Sequence, residues 1–328
     1  MTTLLDVRDL TVHFDTAGGR ALAVDGVSFR IDPGETVGLV GESGCGKTVT
    51  ALSILRLLDG EAVTSGASVI EFEGINLRNL EGEDLRAVRG AKIAMIFQEP
   101  SASLNPVLTV GLQITETLHA HRDIDRHAAR TRAIDLLDLV GIPEPDERFR
   151  AYPHQLSGGM QQRVMIAIAL SCEPKLLIAD EPTTALDVTI QAQILSLLHD
   201  LKTELGMAMM LITHDLGVVA GMADRVAVMY GGQIVEEAPT RQLFASPQHP
   251  YTRALLDAIP RLDRVTDRLP AIPGSVPPAT AWPSGCRFHP RCSKRLERCA
   301  TDAPDAFTAG PDRYARCWLA APDQAAAP

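Results

Sequence analysis

Three sets of residues in this 328-residue chain have types and spacings that could do chemistry. The first is Gly41-Glu42-Ser43-Gly44-Cys45-Gly46-Lys47-Thr48, which fits the pattern G-x-x-x-x-G-K-[ST]. Glycines at this spacing let the backbone curl so that successive N–H groups face an anion. In such a loop Gly41, Ser43, Gly44, Cys45 and Gly46 cradle phosphates. Lys47 reaches the outer phosphates as a point charge, and the Thr48 hydroxyl is placed to ligate Mg²⁺. Cys45 reads as a small space-filler rather than a redox group. The second set is Asp180-Glu181, which closes the apolar run Leu176-Leu177-Ile178-Ala179. Successive strand side chains point to opposite faces, so the two carboxylates serve different tasks. Asp180 suits the Mg²⁺ shell and Glu181 suits polarising an attacking water. The third set is Cys286-x5-Cys292-x6-Cys299-x17-Cys317. Four such thiols could hold a tetrahedral zinc or a cubane iron–sulfur cluster, or stand as free or disulfide-forming thiols. His289 lies among them and reads as a bystander.

These residues need elements to position them. Val37 to Val40 reads as a buried strand leading into the phosphate loop, and the apolar stretch Ala51 to Leu58 follows it. That is the strand–loop–helix context the pattern requires. Ile93 to Phe97, Leu176 to Ala179 and Met209 to Ile212 read as further short buried strands. From Ile190 to Leu205 the apolar residues recur at three- and four-residue steps, the mark of a helix with one buried face. Ala133, Leu136, Leu137 and Val140 repeat the pattern before Gly141, a helix stop. Val226 to Tyr230, Gly231-Gly232 and Gln233 to Glu236 read as a β-hairpin. The whole is an α/β pattern. From Ile259 to Gly285 six prolines (Pro260, Pro270, Pro273, Pro277, Pro278 and Pro283) predict an extended linker rather than a packed element. Residues 320–328 are Ala/Pro-rich and predicted to fray.

Composition bounds the function. Hydrophobic residues make up 45% and charged residues 22%, enough for a sizeable buried core. No run of eighteen apolar residues occurs and the N-terminus carries no basic-then-apolar leader, so a cytosolic chain is expected. The formal net charge of −10 argues against nucleic acid as partner, because phosphate backbones are neutralised by basic surplus. It does not oppose ATP, which backbone amides bind locally.

Many phosphate-binding enzymes share the first two motifs. Leu156-Ser157-Gly158-Gly159-Met160-Gln161-Gln162-Arg163, with Ser157 placed 23 residues before Asp180, narrows the field. It resembles the signature of ABC ATPases, with Met160 where the family often has Gln. A Ser and two glycines opening an apolar helix make a second anion-binding helix start. The resemblance covers residues 4 to 260. Its implied fold is an α/β P-loop NTPase of the ABC nucleotide-binding type: a RecA-like core, an N-terminal antiparallel β subdomain, an α-helical signature subdomain and a small Cys-rich C-terminal extension. The implied divisions are an ATPase domain at 1–258 with its helical subdomain at about 99–170, the linker at 259–285, the Cys-rich module at 286–319 and the tail at 320–328.

By the same resemblance Gln98 senses Mg²⁺ and the γ-phosphate, and Ala185-Leu186-Asp187 is the loop that speaks across a dimer of ATPases. His214 contacts the γ-phosphate, and Phe14 stacks on adenine. Ser157, Gly158, Gly159 and Gln161 contact the γ-phosphate of ATP held by the other subunit. Catalytic roles fall to Glu181, His214 and Gln98, and Mg²⁺ to Thr48, Gln98 and Asp180. A closer similarity is to ATPases of the peptide/opine/nickel importer group. It is carried by Phe97-Gln98-Glu99-Pro100-Ser101-Ala102-Ser103-Leu104-Asn105-Pro106, by Asp180 to Gln193 and by His249-Pro250-Tyr251-Thr252. The Met95-Ile96-Phe97 lead and the cysteine tail look like the D-type subunit. That implies di- or oligopeptide import, with nickel, glutathione and opines as alternatives and a soluble non-transport ABC ATPase as the reading of another class. It also implies a second ATPase (an F-type homologue or a second copy), two permeases and an exported peptide-binding lipoprotein. The location would be the cytoplasmic face of a bacterial membrane. In this resemblance Cys286, Cys292, Cys299 and Cys317 hold a [4Fe–4S] cluster, with zinc as the alternative.

Overall fold

The computed structural model describes residues 3–184, 186–259 and 271–322. Two compact units are distinguished: one gathers the described parts of Met1–Ile31, Thr36–Arg78 and Ile212–Pro328, the other Asp32–Glu35 and Asn79–Leu211. Among the described residues no helix is long and apolar enough to cross a membrane.

The first unit carries an antiparallel sheet in which Leu5–Thr16 pairs with Gly19–Ile31 on one side and with Ala62–Thr64 and Val69–Phe72 on the other. Leu5, Val7, Leu10 and Val12 are buried, the inward half of a strand whose register shifts at bulges. The same unit builds a second sheet around Thr36–Val40, which is buried throughout. Arg225–Tyr230 lies parallel to it, followed by the antiparallel strands Gln233–Pro239, Arg313–Ala315 and Phe307–Gly310. The expected hairpin is present: Gly231 and Gly232 take φ of 57° and 81°, a turn that twists with its strands. The helix Leu216–Met222 packs on this sheet so closely that a Cβ on Gly38 would stand 2.7 Å from Val219 Cγ1.

The last strands come from the C-terminal module, so the module completes this unit's sheet rather than standing apart. Residues 271–285 form no helix or strand, as their prolines predict, but they are not an unpacked linker. Leu22 N–H donates to Ala279 O at 2.9 Å, Trp282 Nε1 donates to Leu22 O at 2.8 Å, and Ile272 and Val276 pack on the buried cluster of Tyr230, Tyr251 and Phe288. Burial of these side chains supplies what the proline-rich composition hid. The expected linker prolines Pro260 and Pro270 and the tail from 323 onward lie outside the described residues.

In the second unit Ile93–Ile96 and Leu176–Asp180 pair in parallel and are fully buried. Around them stand the helices Val110–His121, Arg126–Leu139, Gly158–Leu170 and Val188–Leu205. Each begins at a side-chain cap: Thr109, Asp125, Ser157 and Asp187 accept hydrogen bonds from backbone N–H groups of the first turn. Arg126–Leu139 starts earlier than the apolar spacing alone predicts because Asp125 caps it, and Gly141, at φ 74°, follows its end. Val188–Leu205 ends at Gly206 in the left-handed conformation.

Candidate nucleotide site

The phosphate loop belongs to the first unit. Two of its glycines are imposed by the close approach of other backbone. A Cβ at Gly41 would meet Met229 O at 2.2 Å, and one at Gly46, where φ is 106°, would meet Ala23 O at 2.5 Å. Lys47 opens the helix Lys47–Ile54 and is buried. Its Nζ donates to Gly41 O at 2.9 Å and Glu42 O at 3.1 Å, which folds the ammonium back over the loop. Gly46 caps that helix without a side-chain acceptor, so the amides of its first turn are not taken by a cap. Ser43, Gly44 and Thr48 are exposed. The helix ends at Ile54, short of the apolar stretch to Leu58. Cys45 is 1% exposed and burial pushes its thiol up, with the Lys47 charge opposing, so it is a neutral space-filler.

Two more expected contacts lie in this unit. His214 is exposed just after the strand Ala208–Thr213, and the following Asp215 caps the next helix through Gly217 N at 2.7 Å. Phe14 is half-buried on Leu5–Thr16 with alanines opposite it on both neighbouring strands, Ala21 and Ala62. Small neighbours keep the ring from being walled in.

The acidic strand end belongs to the second unit. Asp180 is buried as the last residue of its strand. Glu181 turns the chain at φ 45°, in the left-handed region that an L-residue enters at a cost of about 1–2 kcal/mol. One carboxylate oxygen, Oε2, accepts from both Gln98 Nε2 at 3.2 Å and Thr184 Oγ1 at 2.9 Å. Two residues of the expected set, Gln98 and Glu181, thus meet directly. Thr184 was not read from the sequence; its position three residues after Glu181 in a tight turn is the only signal it offered.

The signature stands in the same unit. Ser157 Oγ accepts from Met160 N at 3.3 Å, and Gln161 Nε2 donates to Pro153 O at 2.8 Å, tying the helix start to the preceding turn. Gly159 is required by packing, since a Cβ there would lie 2.9 Å from Ile190 Cγ2, whereas one at Gly158 would make only ordinary contact, 3.8 Å from Leu186 Cδ2. Asp187 caps its own helix by accepting from Ile190 N at 2.9 Å, and the next residue, Val188, is 83% exposed. Ala185 lies outside the described residues.

A family profile described as "ABC transporter" matches residues 24–184, and one described as "Oligopeptide/dipeptide transporter, C-terminal region" matches residues 235–299. The chain is 52% identical to the oligopeptide transport ATP-binding protein AppD of Bacillus subtilis over 97% of each chain. It is 48% identical to the oligopeptide transport ATP-binding protein OppD of Haemophilus influenzae over 98% of each. The chain belongs to this family of ABC transporter ATP-binding proteins. The fold agrees: the ATP-binding cassette MJ0796 bound to ADP and Pi, a dimer in a post-hydrolysis state, superposes with a TM-score of 0.65 at 28% identity, covering 72% of this chain and 99% of that one.

The ABC ATPase carries its four clustered cysteines on the C-terminal module. Cys286 N–H donates to Cys299 O at 2.9 Å, and His289 Nδ1 lies 2.9 Å from Cys286 O. Burial is the main cause that pushes the Cys286 thiol up to about 11 and the Cys317 thiol up to about 12, the other three thiols adding to the rise at Cys317. Among the described residues no three His, Cys, Asp or Glu side chains are arranged to hold a metal ion. The expected metal therefore finds no support in the side-chain arrangement. The zinc alternative fares no better than the cluster, since a tetrahedral site needs four sulfurs converging at about 2.3 Å and no such group is found among the described residues.

The sequence also did not disclose how the phosphate loop is braced. The Glu42 carboxylate is held by both Nη atoms of Arg291, at 2.7 and 2.9 Å, and the Glu42 N–H donates to Tyr251 Oη at 2.9 Å. His249-Pro250-Tyr251-Thr252, noted earlier only as a resemblance, thus has a physical task. His249 caps the helix Pro250–Asp257 through Tyr251 N, and Tyr251 reaches the loop.

Proposed function

We propose that the chain binds and hydrolyses MgATP to power import of di- or oligopeptides through a membrane transporter. The observation that carries the ATPase reading is the convergence of Gln98 and Thr184 on one oxygen of Glu181. It fixes the orientation of the carboxylate that would act as general base toward a water. Lys47 and the loop amides would hold the phosphates, and by the family resemblance Thr48, Gln98 and Asp180 would be the oxygen ligands for Mg²⁺. Two ATPs lie between two ATPase subunits, each held by one subunit's loop and the other's Ser157 helix start. Closure of that pair drives two permeases at the cytoplasmic face of the membrane, and hydrolysis reopens it. Peptide as cargo is supported by the near-full-length likeness to oligopeptide transport ATP-binding proteins.

The test is ATPase activity of the chain reconstituted in lipid with its permeases and capture protein. Peptides should stimulate turnover, and Glu181→Gln should lower it about 10²–10⁴-fold while ATP still binds. Stimulation by nickel, glutathione or an opine in place of peptides would replace the cargo. Unregulated hydrolysis with no membrane partner would replace the importer.

Four cysteines are the ligand count of a [4Fe–4S] cluster, in which each thiolate binds a different iron. We include the cluster in the proposal as a structural group for Cys286, Cys292, Cys299 and Cys317. Iron and acid-labile sulfide analysis of protein prepared without oxygen decides it, and metal-free protein would end it.

A further inference from the structure

We infer that Arg291 is a positioning residue for the nucleotide site, through which the C-terminal module sets the affinity of the phosphate loop for ATP. The inference rests on the ATPase reading above and concerns a residue that no motif singled out.

Arg291 is 7% exposed and every part of its guanidinium is committed. Both Nη atoms bind the Glu42 carboxylate, one atom to each oxygen. Nε donates to Pro273 O at 2.9 Å, Nη1 stands 3.5 Å from Tyr230 Oη, and the guanidinium carbon lies 5.7 Å from the centre of the Tyr230 ring. A planar fork paired with both oxygens of a carboxylate fixes direction as well as distance. Glu42 is the second residue of the loop, and its own carbonyl accepts from Lys47 Nζ at 3.1 Å. The chain of contact therefore runs from the module to Glu42, then to the backbone that must face the phosphates and to the lysine that must reach them. Tyr251 supplies a second hold on the same residue from the backbone side. Phe288, three residues before Arg291, packs on Tyr230 and Tyr251 with ring centres 5.2 and 5.3 Å away, which keeps both holds in register.

No carboxylate elsewhere in the phosphate pattern is needed for binding phosphate; a negative charge beside the anion site opposes it. Pairing Glu42 with a buried arginine turns the carboxylate away from the nucleotide and uses it as an anchor. Loss of the fork frees the loop and returns that negative charge to the site, so both effects weaken ATP binding. Neither acts on the hydrolytic step at Glu181.

The experiment is a titration of the full-length chain with a fluorescent methylanthraniloyl ATP in the presence of Mg²⁺, alongside KM and kcat for ATP, at a temperature well below each variant's melting point. Arg291→Lys keeps the charge and loses the fork; Glu42→Gln keeps the shape and loses the charge. Each single variant should weaken nucleotide binding and raise KM roughly 3- to 30-fold, with kcat within about twofold of the parent. Arg291→Lys combined with Glu42→Gln should be no worse than the weaker-binding single variant, because the two residues act as one unit. Cooperatively melting Arg291→Lys and Glu42→Gln proteins with unchanged nucleotide affinity would overturn the inference, as would losses that add in the double variant. If the unaltered chain binds ATP no better than Lys47→Ala, the ATPase reading itself fails.

Discussion

Glu181 combines a left-handed backbone with a carboxylate held from two sides, by Gln98 and Thr184. Hydrogen bonds to a charged group contribute more than those between neutral groups, so the hydroxyl of Thr184 matters to orientation. Thr184→Val keeps the shape and removes the donor. It should lower kcat roughly 3- to 10-fold with KM for ATP unchanged, as read by steady-state kinetics. His249 offers a pH test of the module's packing. Burial holds its imidazole far below the ordinary 6.5, down to about 3, so the folded chain keeps it neutral. Its backbone N–H meanwhile binds the buried carboxylate of Glu236. Above pH 6.5 neither folded nor unfolded chain protonates this ring and its contribution is complete. Between 6.5 and about 3 only the unfolded chain takes up the proton, so stability falls as pH drops through that window. His249→Asn, which retains a capping oxygen, should flatten that part of a denaturation-versus-pH profile.

At the scale of elements, the starts of helices recur as working parts. Ser157 caps Gly158–Leu170 and Asp187 caps Val188–Leu205, and the two helix starts touch where Gly159 faces Ile190. Gly159→Ala would drive a methyl to 2.9 Å from Ile190 Cγ2. It should cost about 1–3 kcal/mol of stability, measured by chemical denaturation, and Ile190→Ala in the same chain should recover part of the loss. These elements were legible in the sequence because their signals are local: capping residues, glycine pairs and three- to four-residue apolar steps. The phosphate loop, the Asp180–Glu181 strand end and the signature were legible for the same reason. The Arg291–Glu42 pair was not, since its members stand 249 residues apart and neither is of an unusual type. The packing of residues 271–285 was also hidden, because proline content reports backbone habit and says nothing of which surface a segment covers.

For the molecule as a whole, the C-terminal module is structural as well as an attachment. It adds two strands beyond Gln233–Pro239, fills the core with Phe288 and ties Arg287 to Asp25 at 2.5 Å. Ending the chain at Gly285 would uncover a strand edge and empty the Phe288 socket. Calorimetry of that truncation should show a loss of at least ~3 kcal/mol, and light scattering should show more association than in the full chain.

The first unit is assembled from three separate stretches, the last beginning at Ile212, whereas the second unit is nearly continuous from Asn79 to Leu211. On a ribosome adding about 5–20 residues per second, the strands before Arg78 wait on the order of ten seconds for the partners that complete their unit. The phosphate loop leaves the ribosome 249 residues ahead of the arginine that braces it. The nascent chain thus carries its phosphate loop without that anchor until the arginine has been made, and a product terminated between the two lacks it.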